Sequence, residues 1–113
     1  MEYTVNEIEN ILAKAKKAAY EAGGDFLMEK LNGEDNFPCG FAWVNIYGIK
    51  GNTKLGRAMK AAGIEKDYSG SYKIWNPSGI NVQNVDVKEA GAEAAADVFT
   101  SYGFKAYAGS RLD

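Results

Sequence analysis

The chain has one cysteine and no histidine, and this sets the first limits on its chemistry. Without imidazole there is no Ser-His or Cys-His pair, no histidine general base and none of the usual nitrogen ligands for zinc. Cys39 stands between Pro38 and Gly40 with no lysine beside it, so an inert thiol is expected rather than a nucleophile. Glu65, Asp67 and Asp86 have no spacing that would build an oxygen cage around a cation. The segment Gly48-Ile49-Lys50-Gly51-Asn52-Thr53-Lys54 leads from a predicted strand into a predicted helix, whose free N–H groups favour anions. It lacks the spacing of a phosphate loop. Lys50, Asn52, Thr53 and Lys54 are thus a candidate anion site, against the plainer reading of a glycine-containing turn. No acid–base or nucleophile–base pair can be assembled, so the expectation is a non-enzyme with no cofactor and no metal.

A second pattern is more informative. Aromatic, amide and cationic residues alternate with small and apolar ones through the second half of the chain. Taken as strands, Phe41, Trp43, Asn45 and Tyr47 share a face with Ser71, Lys73 and Trp75, with Asn81 and Gln83, and with Lys105 and Tyr107. Arg111 follows the last strand and could reach a ligand at its end, or pair locally with Asp113. Trp43, Asn45, Tyr47, Lys73, Trp75, Lys105, Tyr107 and Arg111 therefore form a candidate ligand-binding set. Such a face could stack bases and hydrogen-bond their edges. However, Ile80-Asn81-Val82-Gln83-Asn84 has nothing like the basic-Gly-aromatic run that RNA-recognition sheets of this kind carry. An exposed patch of two tryptophans and two tyrosines is unusual for a monomer, so the N-terminal apolar stripe is expected to pack on it, or a second copy to cover it.

The elements that would position these residues follow from capping and periodicity. Thr4-Val5-Asn6-Glu7 has the form of a capping box. The helix it opens carries Val5, Ile8, Leu12, Ala15, Ala19 and Ala22 on a narrow stripe and should end at Gly23-Gly24, with a second short helix from Asp25 to Gly33. Residues 1–35 are read as an N-terminal helical extension and 36–113 as the main domain. Phe41–Ile49, Ser71–Trp75, Ile80–Gln83 and Phe104–Gly109 read as strands, with Asn76-Pro77-Ser78-Gly79 as the turn of a hairpin. Helices are expected from Lys54 to Ala62 and from about Asp86 to Tyr102, each closed by a glycine. The order β-α-β-β-α-β is the ferredoxin-like arrangement, an α+β fold with a four-stranded antiparallel sheet and both helices on one face. Ala42, Val44, Ile46, Tyr72, Ile74, Ile80, Val82, Phe104, Ala106 and Ala108 should face the helices.

At 113 residues, with 46% hydrophobic and 25% charged residues, the chain can bury one core. No apolar run is long enough to span a bilayer, and the first ten residues have no export-signal character, so no membrane role and a cytoplasmic setting are expected. The net charge of −2 conceals a gradient: residues 1–40 carry −4, 41–84 carry +4 and 85–113 carry −2. An acidic pI near 5.2 argues against a general phosphate-backbone binder but leaves room for a local anion site in the basic middle.

Pro38-Cys39-Gly40-Phe41-Ala42-Trp43-Val44-Asn45, Lys73-Ile74-Trp75 and Lys105-Ala106-Tyr107-Ala108-Gly109-Ser110-Arg111-Leu112-Asp113 resemble small hypothetical proteins encoded by tailed bacteriophages. The resemblance covers roughly residues 38–113 and implies an origin without a mechanism: a phage accessory protein made in the bacterial cytoplasm. The expectation is then a non-enzymatic protein that binds a host protein or small molecule in a takeover or anti-defence role. The alternatives are a binder of nucleotides or single-stranded RNA on the aromatic face, and a virion component that forms homo-oligomers through the N-terminal helix.

Overall fold

The computed structural model describes residues 2–113. In chain order they form α1 (Val5–Lys30), β1 (Gly40–Tyr47), α2 (Lys54–Ala61), β2 (Glu65–Lys66), β3 (Tyr72–Trp75), α3 (Val85–Ser101) and β4 (Lys105–Leu112). The strands make one sheet in the order β2-β3-β1-β4 with every neighbouring pair antiparallel, an α+β architecture. Ala42, Val44, Ile46, Tyr72, Ile74 and Ala106 are buried on one face of this sheet, in a single cluster with residues of all three helices.

α1 begins where its capping box predicts. The Thr4 hydroxyl accepts from the Glu7 N–H at 3.2 Å, and Glu7 Oε1 accepts from the Thr4 N–H at 2.9 Å. It does not stop at Gly23-Gly24 but runs unbroken to Lys30, where left-handed Asn32 and Gly33 turn the chain and the Gly33 N–H returns to the Leu27 carbonyl. The reason is packing. Gly23 is buried, and a Cβ added there would lie 2.9 Å from Ile80 Cδ1 and 3.3 Å from the Val87 carbonyl. Gly91 of α3 is its counterpart, with an added Cβ 2.8 Å from Ser78 and 3.1 Å from the Ala19 carbonyl. Ala19 meets Gly91 and Gly23 meets Val87, so the two helices run antiparallel with their backbones nearly touching. Tyr3 extends the seam by donating its hydroxyl to the Tyr102 carbonyl at 2.8 Å.

This seam absorbs the apolar stripe of α1. Ile8, Ile11, Ala15 and Ala19 are buried there, the two isoleucines contributing roughly 1.5–3 kcal/mol each. The expectation that the stripe covers the aromatic sheet face is therefore corrected: α1 lies in the helix layer beside α3, on the opposite side of the sheet. α3 fits between α1 and the strands because its buried positions are mostly small, Gly91, Ala92, Ala95 and Ala96.

The predicted hairpin also moves. The strand before β3 is Glu65–Lys66, and the turn between them is Asp67-Tyr68-Ser69-Gly70. The Asp67 carboxylate accepts from the Ser69 N–H at 2.9 Å, and Gly70 takes the left-handed conformation at φ +93°. Asn76-Pro77-Ser78-Gly79 does turn the chain, with the Gly79 N–H donating to the Asn76 carbonyl, but Ile80–Gln83 forms no strand. Ser78 and Ile80 are drawn into the notch that Gly91 and Gly23 leave between the helices. Asp35 then holds the departing segment, its carboxylate accepting from the N–H groups of Gln83 and Asn84 at 2.8 and 3.0 Å. Asn84, fully buried, caps α3 by accepting from the Val87 N–H, and its amide donates to the Asn36 carbonyl at 2.8 Å.

Two glycine substitutions separate these roles. Gly24→Ala, with nothing within 4 Å of the added Cβ, should stabilise the protein by about 0.5–1 kcal/mol through helix propensity. Gly91→Ala makes the same local change but should destabilise by about 1–3 kcal/mol, because the methyl drives the helices apart. Urea denaturation of both variants checks the contrast.

Candidate functional site

The eight residues of the predicted ligand-binding set lie on the face of the sheet that carries no helix. The register arranges them in cross-strand rows: Trp75–Trp43–Gly109, Lys73–Asn45–Tyr107, Tyr47 beside Lys105, and Phe41 beside Arg111. Tyr47, Trp75 and Tyr107 are 46%, 56% and 61% exposed, so among the described residues no element lies over them. Asn81 and Gln83, predicted to join this face, leave it with the segment that runs to the helix layer.

Within the rows the rings pair. Trp43 and Trp75 have centroids 5.0 Å apart at 48°, and Tyr47 and Tyr107 lie 6.0 Å apart at 51°. Contacts of this kind contribute about 0.5–1.5 kcal/mol beyond the area they bury. The Trp43 indole lies over Gly109, where an added Cβ would be 2.6 Å from its Nε1. That nitrogen is shut off from solvent and has no hydrogen-bond partner among the described residues. Phe41 sits between two cations, Lys88 Nζ at 5.3 Å and the Arg111 guanidinium at 5.4 Å from its centroid.

The polar members of the set are more constrained. Lys73 Nζ donates to Asn45 Oδ1 at 2.6 Å and to Ser71 Oγ at 3.2 Å, and pairs with Asp67 at 2.8 Å. Asn45 is buried beneath this ammonium. Both residues are thus committed to the protein and hold the β2–β3 turn onto the sheet. The hydrogen bond from Lys73, with the one from the Ser69 hydroxyl, lowers the Asp67 pKa from 3.8 to about 2.

At the end of the sheet where β1 runs into α2, the two predicted sites meet. Tyr47, Lys50, Thr53, Lys54, Phe104 and Lys105 line a cavity of about 450 Å³, with the acidic Glu2 also on its wall. The Thr53 hydroxyl is engaged by the helix, accepting from the Gly56 N–H at 3.1 Å and donating to the Lys50 carbonyl at 2.6 Å. Asn52 is not on the wall, and its carbonyl accepts from Arg57 at 2.8 Å. Three lysines, Lys50, Lys54 and Lys105, supply the side-chain positive charge of this notch. Binding, by ring surfaces and by ammonium groups, is what these two regions can do chemically.

Comparison of the chain with protein-family models, with curated proteins and with solved structures finds no match. No helix among the described residues is long and apolar enough to cross a membrane.

Three participants escaped sequence reasoning. Gly109 is the seat of Trp43, and the signal was its position opposite a tryptophan once the strands are paired. Asp67 belongs to the face through Lys73, signalled by the Asp-x-Ser-Gly turn sequence just before the strand. Phe104 completes the notch although its strand parity assigns it to the core.

The Asp67–Lys73 pair has a pH signature. Because the folded carboxyl is held below its ordinary value, its stabilisation is fully present above about pH 4 and is lost as the pH falls through about 2. Asp67→Asn should abolish this part of the acid-induced loss and leave the Ser69 turn bonds formable. Urea midpoints at about pH 7, 4 and 2 for both proteins measure it. An acid limb unchanged by the substitution would show that the pair does not carry it.

Proposed function

We propose that this chain is a non-enzymatic binding protein that takes a partner protein on its open aromatic sheet face. The observation that carries the reading is that Trp75, Tyr107 and Tyr47 stand uncovered while the apolar stripe of α1 is engaged elsewhere. Aromatic residues and arginine are the types enriched at protein interfaces, and here they share one flat surface. The rows also pre-order the surface: paired rings and a tethered lysine lose little freedom on binding. The scaffold is read as ferredoxin-like, supported by the antiparallel order β2-β3-β1-β4 with α2 joining β1 to β2 and α3 joining β3 to β4. On the resemblance of residues 38–113 to tailed-phage proteins, the setting is the cytoplasm of an infected bacterium. The partner is then a host protein bound for takeover or against defence.

A second reading, binding of a nucleotide or single-stranded RNA, is favoured by the notch. There Lys50, Lys54 and Lys105 surround Tyr47, joining phosphate-binding charge to a ring that a base can stack on.

For the first reading, Trp75→Ser with Tyr107→Ser should keep the native far-UV circular-dichroism spectrum, lower stability by about 1–3 kcal/mol through the two lost ring pairs, and abolish recovery of a host partner in pull-downs from bacterial lysate. Partners recovered equally by the variant would overturn it. For the second, a labelled oligonucleotide should bind at low salt with an affinity that falls steeply as salt rises, and Lys50→Ala with Lys54→Ala and Lys105→Ala should abolish binding. No binding of the native protein at low salt ends that reading.

A further inference from the structure

We infer that the free edge of β4 pairs, antiparallel and across a two-fold axis at Gly109, with the β4 edge of a second copy of this chain. The inference is independent of any partner on the open face.

The two edges of the sheet differ. β2 is two residues long, too short to template another strand, whereas β4 pairs with β1 without a break from Gly40↔Leu112 to Tyr47↔Lys105. β4 contains no proline and no bulge, two of the devices that blunt an edge, and its charged residues, Lys105 and Arg111, stand near its two ends rather than at its centre. The Asp113 N–H donates to the Cys39 carbonyl, which sets the phase of the ladder. By the antiparallel alternation, Lys105, Tyr107, Gly109 and Arg111 bond to β1, while Ala106, Ala108, Ser110 and Leu112 turn their N–H and C=O groups outward. Among the described residues, the one contact recorded on these outward groups is the Thr100 hydroxyl, at 3.5 Å from the Ala106 carbonyl. Unpaired groups of this kind bind water or another strand.

Charge selects the register. Directly opposed residues must share a face, so the residue numbers of a pair sum to an even value. A sum of 218 sets Lys105 opposite Asp113 of the second copy, Tyr107 opposite Arg111 and Gly109 opposite Gly109. On the other face it sets Leu112, which is 67% exposed, opposite Ala106. Slipping by two residues one way puts Lys105 opposite Arg111, like against like, and the other way sets Tyr107 opposite Asp113 and Gly109 opposite Arg111, which forms no ion pair among residues 105–113. Of these three, only the central register sets Lys105 opposite a carboxylate. It also joins the two tryptophan rows through their glycines into one continuous aromatic strip.

Sedimentation equilibrium of the full chain over about 10–500 µM should give a mass twice 12.3 kDa. Ala108→Pro removes an outward N–H and should give a folded monomer. Asp113→Lys, which leaves the backbone bond to Cys39 in place, should weaken the dimer about tenfold or more by setting Lys105 against a lysine. Adding Lys105→Asp should restore it. A monomer throughout this range, a dimer indifferent to Asp113→Lys, or failure of the charge swap to restore association would each overturn the inference.

Discussion

The near-contact of α1 and α3 at Gly23 and Gly91 is the constraint from which the rest of the molecule follows. Two helices can bring their backbones this close only where side chains are absent, and each glycine accepts a carbonyl or side chain of the other's neighbourhood. Close approach lets Ile8, Ile11, Ala15 and Ala19 be fully enclosed. It also leaves a notch at one end, into which the Ser78 turn sinks. That turn could have started another strand. Drawn into the helix layer, it cannot, and the sheet's outer strand comes from the other side of β3.

With all three helices on one face, the other face has to stabilise itself. It does so by lateral contact: tryptophan on tryptophan, tyrosine on tyrosine, a phenylalanine between two cations, and a lysine bound to an amide, a hydroxyl and a carboxylate. These interactions lie in the plane of the surface. They order the side chains without covering them, the condition a binding surface needs.

The central strand, the two flanking strands and the split of side chains between faces were readable from the sequence, because period-two alternation is direct evidence of a half-buried strand. Thr4 and Glu7 announced the start of α1 for a similarly local reason. The misreadings were long-range. Gly23-Gly24 looks like a stop until α3 is packed against it, and Ile80-Asn81-Val82-Gln83 alternates like a strand although Asp35, far away in the chain, holds its backbone. Glu65–Lys66 is too short to show any period. Within the site, the aromatic rows followed from parity alone, but the commitment of Asn45 and Lys73 to Asp67 depended on a hairpin that local signals misplaced.

The seam between α1 and α3 joins segments that leave the ribosome at different times. α1 emerges before α3, and the surface that buries its apolar stripe begins only at Val85. At synthesis rates of about 5–20 residues per second, that interval lasts several seconds. Through that time the one native helix it can meet is α2, whose contact with α1 is far smaller than that of α3. The seam can therefore close only late, once α3 is free of the ribosomal tunnel.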